Sequence, residues 1–388
     1  MTALSMPIRG SARTKWIQMV LGLICMASIS SPQYVWTLMT KPLTEKIGVS
    51  LPELQVTFSL LIILQTFFSP FQGKLIDRFG PRLLISLGTL LSGLSWVLSA
   101  QVQNLAMLYL VYGCLGGLGT GIVYVGVVGL MVRWFPRHRG FAAGMVAAGY
   151  GMGAIFTTFP ISMSLDQQGL EWTLLVFGSI FAVVGLLASQ GLKVPEEEDT
   201  ASQPPSKLEQ SRRQFTSKEM LRLPLFWLMF LMMTMMSTSG LMVTSQMAVF
   251  AHDFGIISDR FGREKTMFIA FALEGCAMTL WLMSRDNALL FVLLSGVVFF
   301  GWGEIFSLFP STLTDTFGTQ NATANYGWLY MSQGIGSILG GPLAALLYQY
   351  TQGWHVVFGC AITLDFVTAA LAIGVLKPWR SRFIRSHS

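Results

Sequence analysis

The feature that most limits what this chain can fold into is a charged turn that occurs twice between long apolar runs. Gly73-Lys74-Leu75-Ile76-Asp77-Arg78-Phe79-Gly80-Pro81-Arg82 returns as Gly255-Ile256-Ile257-Ser258-Asp259-Arg260-Phe261-Gly262-Arg263-Glu264-Lys265. Several of the apolar runs reach the roughly 18 residues that a bilayer-crossing helix needs. Only 11% of the 388 residues are charged, where a soluble domain carries roughly 25%. A duplicated polar turn in such a chain implies two homologous membrane halves. Gly80 can take the left-handed conformation that stops a helix, and Pro81 suits the first position of the next. Gly73 lets a neighbouring helix approach, and Asp77 can face the positive N-terminus of another helix.

Taken in order, the chain predicts spans at 16–39, 54–76, 83–101, 105–135, 141–164 and 172–192, then at 225–250, 267–283, 288–309, 327–350 and 354–376. Between them lies a polar stretch with Glu196-Glu197-Glu198-Asp199 and Pro204-Pro205, the composition of a solvated linker. The expected domains are therefore a six-helix bundle over 1–192, a cytoplasmic linker over 193–224 and a second bundle over 225–388. With the N-terminus inside and six spans per half, every lysine and arginine except Lys41, Lys46 and Arg285 falls on the cytoplasmic side. That places a multi-pass protein in an inner (plasma) membrane with both termini cytoplasmic. The net charge of +6 is explained by these loops, so no nucleic-acid partner is called for. Cys25, Cys114, Cys276 and Cys360 all sit in apolar runs and read as small core residues. The first apolar run continues through Tyr34 and Trp36, so it reads as a span and not as a cleaved leader.

Glycines crowd three helices: Gly113, Gly116, Gly117, Gly119 and Gly121 in one, Gly140, Gly144, Gly149, Gly151 and Gly153 in the next, and Gly334, Gly336, Gly340 and Gly341 late in the chain. Small residues let helices pack closely in lipid, where no hydrophobic drive holds them together. They also make the smooth contacts that a rocking transporter needs. Both readings stay open here.

These pieces resemble the major facilitator superfamily, whose loop between spans two and three carries G-x-x-x-D-R-x-G. Within it the chain is similar to the oxalate/formate antiporter family. The supporting stretches are Gln33-Tyr34-Val35-Trp36-Thr37-Leu38, Arg133-Trp134-Phe135-Pro136 with Arg139-Gly140, and Ala147-Ala148-Gly149-Tyr150-Gly151-Met152-Gly153. Later come Leu308-Phe309-Pro310-Ser311-Thr312, Asp315-x-Phe317-Gly318-Thr319 and Asn325-Tyr326-Gly327. The resemblance implies an all-α membrane fold of two six-helix bundles related by a pseudo-twofold axis, and alternating-access transport of small organic anions. It implies a central site lined by Tyr34, Tyr124, Tyr150 and Trp302, with Phe306 where the family has a tyrosine. The family's anion-binding lysine position falls on Gln333, and its arginine-bearing span eight has no counterpart. It further implies that Gly73, Asp77, Arg78 and Gly80 and, in the repeat, Asp259, Arg260 and Gly262 govern the conformational change. In that scheme Asp77 meets the start of the span near Tyr326, and Asp259 meets the start of the span near Gly140.

No lysine or arginine lies near the middle of an apolar run, so a cation-poor site with Gln33, Tyr34, Tyr150, Tyr330 and Gln333 as donors fits a monocarboxylate such as formate, lactate or pyruvate better than oxalate. Glu274, Glu304 and Asp365 sit in apolar runs, where a carboxylate is costly enough to suggest a function. Glu304 is the candidate for proton coupling or gating, although it lies about 200° round the helix from Trp302. His138, His252, His355 and His387 have neither metal spacing nor a nucleophile partner, so no metal, cofactor or enzyme chemistry is expected. The expected partners are a small organic anion, protons and the lipid bilayer, with the chain acting as a monomer. The leading function is secondary active transport of a small carboxylate, by exchange or proton symport. The other readings are a transporter-like sensor or partner-binding protein without flux, or an inactive shortened variant.

The two halves differ in one respect. A full apolar run separates the first span from Gly73, whereas only Ala251-His252-Asp253-Phe254 stand between the seventh span and Gly255. A spanning helix needs about 20 residues, so span eight is missing by count. Eleven spans would bring Arg260, Arg263, Lys265 and the basic tail out on the opposite side from Asp77. The Cα spacing from Phe250 to Ile257 is the direct check on a break there.

Overall fold

The computed structural model describes residues 12–195, 209–211, 213–243, 262–283, 290, 294, 297–298, 301, 303–352 and 354–387, and among them every regular element is helical. The first apolar run is three helices instead of one: α1 (Ala12–Ser28), α2 (Ser31–Tyr34) and α3 (Trp36–Ile47). Pro32 causes the break, since it has no N–H to give, and its carbonyl accepts the Tyr112 hydroxyl at 2.7 Å. The second span is bent by 48° between α4 (Leu51–Phe67) and α5 (Ser69–Phe79), where Pro70 opens the new helix. Then follow α6 (Pro81–Ser99), α7 (Leu105–Leu108), which runs through a π turn into α8 (Gly116–Trp134), α9 (Arg139–Gln168) and α10 (Leu170–Gln190). After the linker come α11 (Ser217–Leu221), α12 (Pro224–Val243), α13 (Arg263–Met283), α14 (Ile305–Phe317), α15 (Ala322–Thr351) and α16 (Trp354–Leu371). A second π turn leads into α17 (Lys377–His387), so the expected basic tail is a helix. Counting α1 with α2, α7 with α8 and α16 with α17, seven helical stretches among the described residues are long and apolar enough to span a membrane, or eight if α4 and α5 count as one.

The glycines sort by what they touch. A Cβ on Gly117 would meet Leu61 and one on Gly121 would meet Gln65, which packs α8 on α4 within the first half. Gly93 and Gly178 bring α6 against α10, and Gly336 brings α15 against α12. Gly73, Gly129, Gly327 and Gly334 instead form the contact between the halves. A Cβ on Gly73 would lie 2.7 Å from the Ala324 Cα, so this position admits no side chain in the packed state.

The linker is only partly as expected. Residues 196–208 and 212 lie outside the described residues, but around them Ser211 and Phe215 are buried against the protein while Glu209, Arg213 and Gln214 stay exposed. Ser211 N donates to the Asp315 carbonyl and Phe215 N to the Phe317 carbonyl, both at 2.9 Å. Phe215 is buried, with its ring 5.6 Å from Phe317 and 5.5 Å from Phe383. One aromatic residue in a polar stretch is enough to hold the segment down, because burying its ring outweighs the solvation of its neighbours.

The stretch from Phe250 to Ile257 lies outside the described residues. Arg263 does not, and it stands at the same end of the molecule as Asp77. Asp315 accepts both Arg263 and Arg139, and Arg139 opens α9 just after Arg133, the partner of Asp77. Arg380 of α17 joins the same end through Glu264. The reversal of the basic face that eleven spans would impose is therefore not found.

Candidate functional site

An aromatic cluster lies between the halves, and an ionic closure lies at the end carrying the Asp77 turn, the motif end. The cluster is built around Tyr124 of α8. Its ring stacks on Tyr330 of α15 at 4.8 Å, meets Tyr150 of α9 edge-on at 5.3 Å and Phe306 of α14 at 6.1 Å. Tyr34 lies 5.3 Å from Tyr150, placed by the helix break at Pro32. Tyr326 continues the group, 5.7 Å from Tyr330. Offset and edge-on rings at these separations attract each other beyond simple burial.

Carboxamides finish the cluster. The Tyr150 hydroxyl donates to Gln33 Oε1 at 2.7 Å, and Gln65 Nε2 donates to the Tyr330 hydroxyl at 3.0 Å. Gln333 is buried one turn beyond Tyr330, within about 60° of its face. The Gln65 and Gln333 Oε1 atoms and the Tyr326 hydroxyl are buried with no hydrogen-bond partner among the described residues. Such groups cost free energy unless something fills their valence. The ring and hydrogen-bond contacts that build the cluster include no lysine or arginine.

Of the residues expected in the site, the structure brings Gln33, Tyr34, Tyr124, Tyr150 and Phe306 together and sets Gln333 one turn beyond them. Trp302 lies outside the described residues. Glu304 is fully buried, but two residues before Phe306 it points about 200° away from the ring that meets Tyr124. Gln65 was missed. Its signal was a lone carboxamide inside the apolar run 56–71, which the expected lining did not use.

At the motif end, Gly80 has φ +90° and Pro81 follows as the first residue of α6. Gly262 repeats the conformation with φ +100° before α13. Asp77 reaches across the halves: Ala324 N, in the first turn of α15, donates to its Oδ2 at 2.9 Å. Its other oxygen takes Arg133, which also donates to the Gln320 carbonyl at 3.0 Å. A carboxylate at a helix N-terminus answers both the unpaired N–H groups and the helix dipole. Arg78 is exposed and lies over the Phe79 ring at 5.3 Å. Asp259 and Arg260 lie outside the described residues.

The start of α9 is met by another acid. Arg139 Nη1 donates to Asp315 Oδ1 at 2.6 Å and Arg263 Nε to Oδ2 at 2.9 Å, with Asp315 fully buried. Gln210 of the linker adds a bond to Oδ1 at 2.7 Å, and Ser307 Oγ donates to the Gly140 carbonyl at 2.8 Å. Sequence reasoning quoted Asp315 for the resemblance without giving it a role. The signal was an acid six residues past an apolar run expected to end at Phe309.

Comparison with known proteins agrees with this architecture. The sequence profile of the Major Facilitator Superfamily matches residues 19–256 and 247–386, two matches that overlap over 247–256. An oxalate:formate antiporter of Oxalobacter formigenes is 30% identical over 95% of this chain and 93% of its own length. Monocarboxylate transporter 14 of Homo sapiens is 32% identical over 29% of this chain and 22% of its own. The solved structure of the proton:xylose symporter XylE superposes with a TM-score of 0.70, covering 94% of this chain and 96% of that one at 11% identity, which speaks for the fold alone. With helices before and after a central linker meeting at an aromatic cluster and closing at the Asp77 turn and the Asp315 ion pairs, this chain is a multi-pass membrane protein of the Major Facilitator Superfamily.

Proposed function

We propose that this protein is a secondary active transporter of a small monocarboxylate such as formate, lactate or pyruvate, working by alternating access between a bundle over 1–192 and one over 225–388. The observation that carries the substrate class is the cluster at Tyr124: it gathers tyrosine hydroxyls and glutamine carboxamides as neutral donors, the Tyr326 hydroxyl having no partner among the described residues, and no lysine or arginine joins its ring and hydrogen-bond contacts. One negative charge can be met by several neutral donors, whereas two adjacent charges ask for a lysine or arginine in a site removed from water. Tyr34, Tyr124, Tyr150, Trp302 and Phe306 would enclose the anion, with Gln33 and Gln333 orienting it.

In this scheme the motif end faces the cytoplasm, as the basic residues gathered there favour. The Asp77 cap, the Gly73 contact and the turns at Gly80 and Gly262 hold that end shut, so the bound anion would enter from the opposite face. Opening it requires the cap on α15 to be released.

A thermal-shift screen of short carboxylates on the purified protein tests the substrate class, because a ligand that binds the native state stabilises it by mass action. Formate, lactate or pyruvate should raise the melting temperature at concentrations where oxalate does not. A shift confined to oxalate and other dicarboxylates would refute the monocarboxylate assignment. Gln333→Lys should then reverse the preference, by about tenfold in relative affinity if the new ammonium contributes on the order of 1.4 kcal/mol to the second carboxylate.

A further inference from the structure

The second half holds two acids that the aromatic cluster does not use. Glu274, midway along α13, and Asp365, on α16, have no exposed surface, and none of their four carboxylate oxygens accepts a hydrogen bond from a described residue. The two helices cross one residue away from each acid, where a Cβ on Gly275 would lie 3.0 Å from the Phe366 ring. Gly301 closes another side, and a Cβ there would come within 2.7 Å of Glu274 Oε2. Ser239 of α12 stands beside Asp365, but its hydroxyl donates to the Ala361 carbonyl at 3.2 Å.

The surroundings decide what such a pair can hold. Along the same faces the neighbouring turns carry Phe271, Met278 and Ala361, all fully buried. The charged group facing Glu274 is Asp365. The other titratable groups on the packed helices are Cys276, which is exposed, Cys360 and His355 nearer the start of α16, and Glu304 one turn past Gly301, while α12 has none. Glu264 and Lys265 sit at the far end of α13, where Glu264 is taken by Arg380. Two ionised carboxylates on helices packed together at Gly275 and Phe366, in a membrane interior, would cost several kcal/mol each with nothing to offset it. One proton between them removes a charge and turns one carboxyl into a donor for the other. A hard metal ion would need about six oxygens around it, and Gly275, Gly301, Phe366 and Met278 supply no side-chain oxygen.

We propose that Glu274 and Asp365 share a proton and form the proton-coupling site of this transporter, set in the wall of the second half apart from the anion site. This role rests on the transport reading above. The link between the sites is the segment that carries both Gly301 and Phe306. Gly301 covers Glu274, and Phe306 touches Tyr124 in the cluster. A shift of that segment that admits an anion beside Phe306 also moves the cover over Glu274, so anion entry and proton access are tied.

Infrared spectroscopy of the purified protein at neutral pH tests the site without any transport. The wild type should show a protonated-carboxyl C=O band that the Glu274→Gln/Asp365→Asn double variant lacks, unchanged when potassium is replaced by sodium. A spectrum identical in the two proteins, or a band that sodium abolishes, would overturn the proposal. In proteoliposomes, a one-unit pH gradient should drive about tenfold accumulation of labelled monocarboxylate if one proton moves with each anion. Glu274→Gln should abolish that accumulation while leaving counterflow exchange within about twofold of wild type, since exchange moves no net proton. Loss of both activities, or of neither, would mean a packing role and defeat the coupling assignment. Wild-type exchange without pH-driven accumulation would defeat it too. A band present in a protein with no counterflow would refute the transport reading and leave the shared proton standing.

Discussion

The two halves close the motif end with the same parts in opposite polarity. In the first half the repeated turn supplies the acid, Asp77, and the end of α8 supplies the arginine, Arg133. In the second half the turn region supplies the arginine, Arg263, and the end of α14 supplies the acid, Asp315. Each acid also crosses to the other half, Asp77 to the Ala324 backbone and Asp315 to Arg139. The environments differ as well. The Asp77 side chain retains 11% exposure and Asp315 none. A buried acid between two arginines is costly to disturb, whereas a partly solvated helix cap can be released and remade. The second half thus reads as the anchor of the closure and the first half as its latch.

That contrast can be broken by substitution. Asp315→Asn should have the largest effect, because it leaves Arg139 and Arg263 buried without their anion, a loss of about 3–5 kcal/mol. The expected outcome is a strong drop in melting temperature, partly restored by adding Arg263→Met. If Asp315→Asn is no worse than Asp77→Asn, the anchor and latch assignments are wrong. Asp77→Asn should cost about 1–2 kcal/mol, since asparagine still accepts from Ala324 N but gives up its charge-assisted bond to Arg133. It should leave the fold intact and raise labelling of a Ser69→Cys reporter from the motif end by roughly tenfold, the ratio that about 1.4 kcal/mol represents. Unchanged labelling would remove the latch.

A finer comparison lies inside the cluster. The Gln65–Tyr330 bond joins the halves, while the Gln33–Tyr150 bond stays within the first. Tyr330→Phe should therefore loosen the closed state by about 1 kcal/mol, visible as a small rise in Ser69→Cys labelling without substrate. Tyr150→Phe should leave that labelling unchanged and weaken anion binding instead. Equal labelling in both variants would show that the cross-half bond contributes nothing to closure.

The duplicated turn was legible because its demands are local. Gly80 must take positive φ, Pro81 must start a helix, and Gly73 must have no side chain where Ala324 approaches. The membrane class follows from the apolar runs and the repeat, whereas the pairing of Asp77 with α15 was implied by the family resemblance together with the affinity of a carboxylate for a helix N-terminus. The gathering of Tyr34, Tyr124, Tyr150 and Phe306 was legible through the family resemblance, since no spacing rule joins four separate helices. Asp315 was not, because its partners Arg139 and Arg263 lie 176 and 52 residues away in the chain. Phe215 was hidden by its neighbours: a polar composition describes a segment on average, and a single ring decided where this one lies. The break at Pro32 was visible as a proline, yet a long apolar run argued for a continuous span.

On the transport reading this protein moves a small monocarboxylate across a membrane and does not merely bind it. Counterflow in proteoliposomes tests that most directly. Vesicles loaded with unlabelled formate, lactate or pyruvate should take up the labelled anion above its external concentration, transiently and only with protein present. Stabilisation by the same anion in solution, with no protein-dependent uptake in loaded vesicles, would refute transport and show a protein that binds its ligand without carrying it.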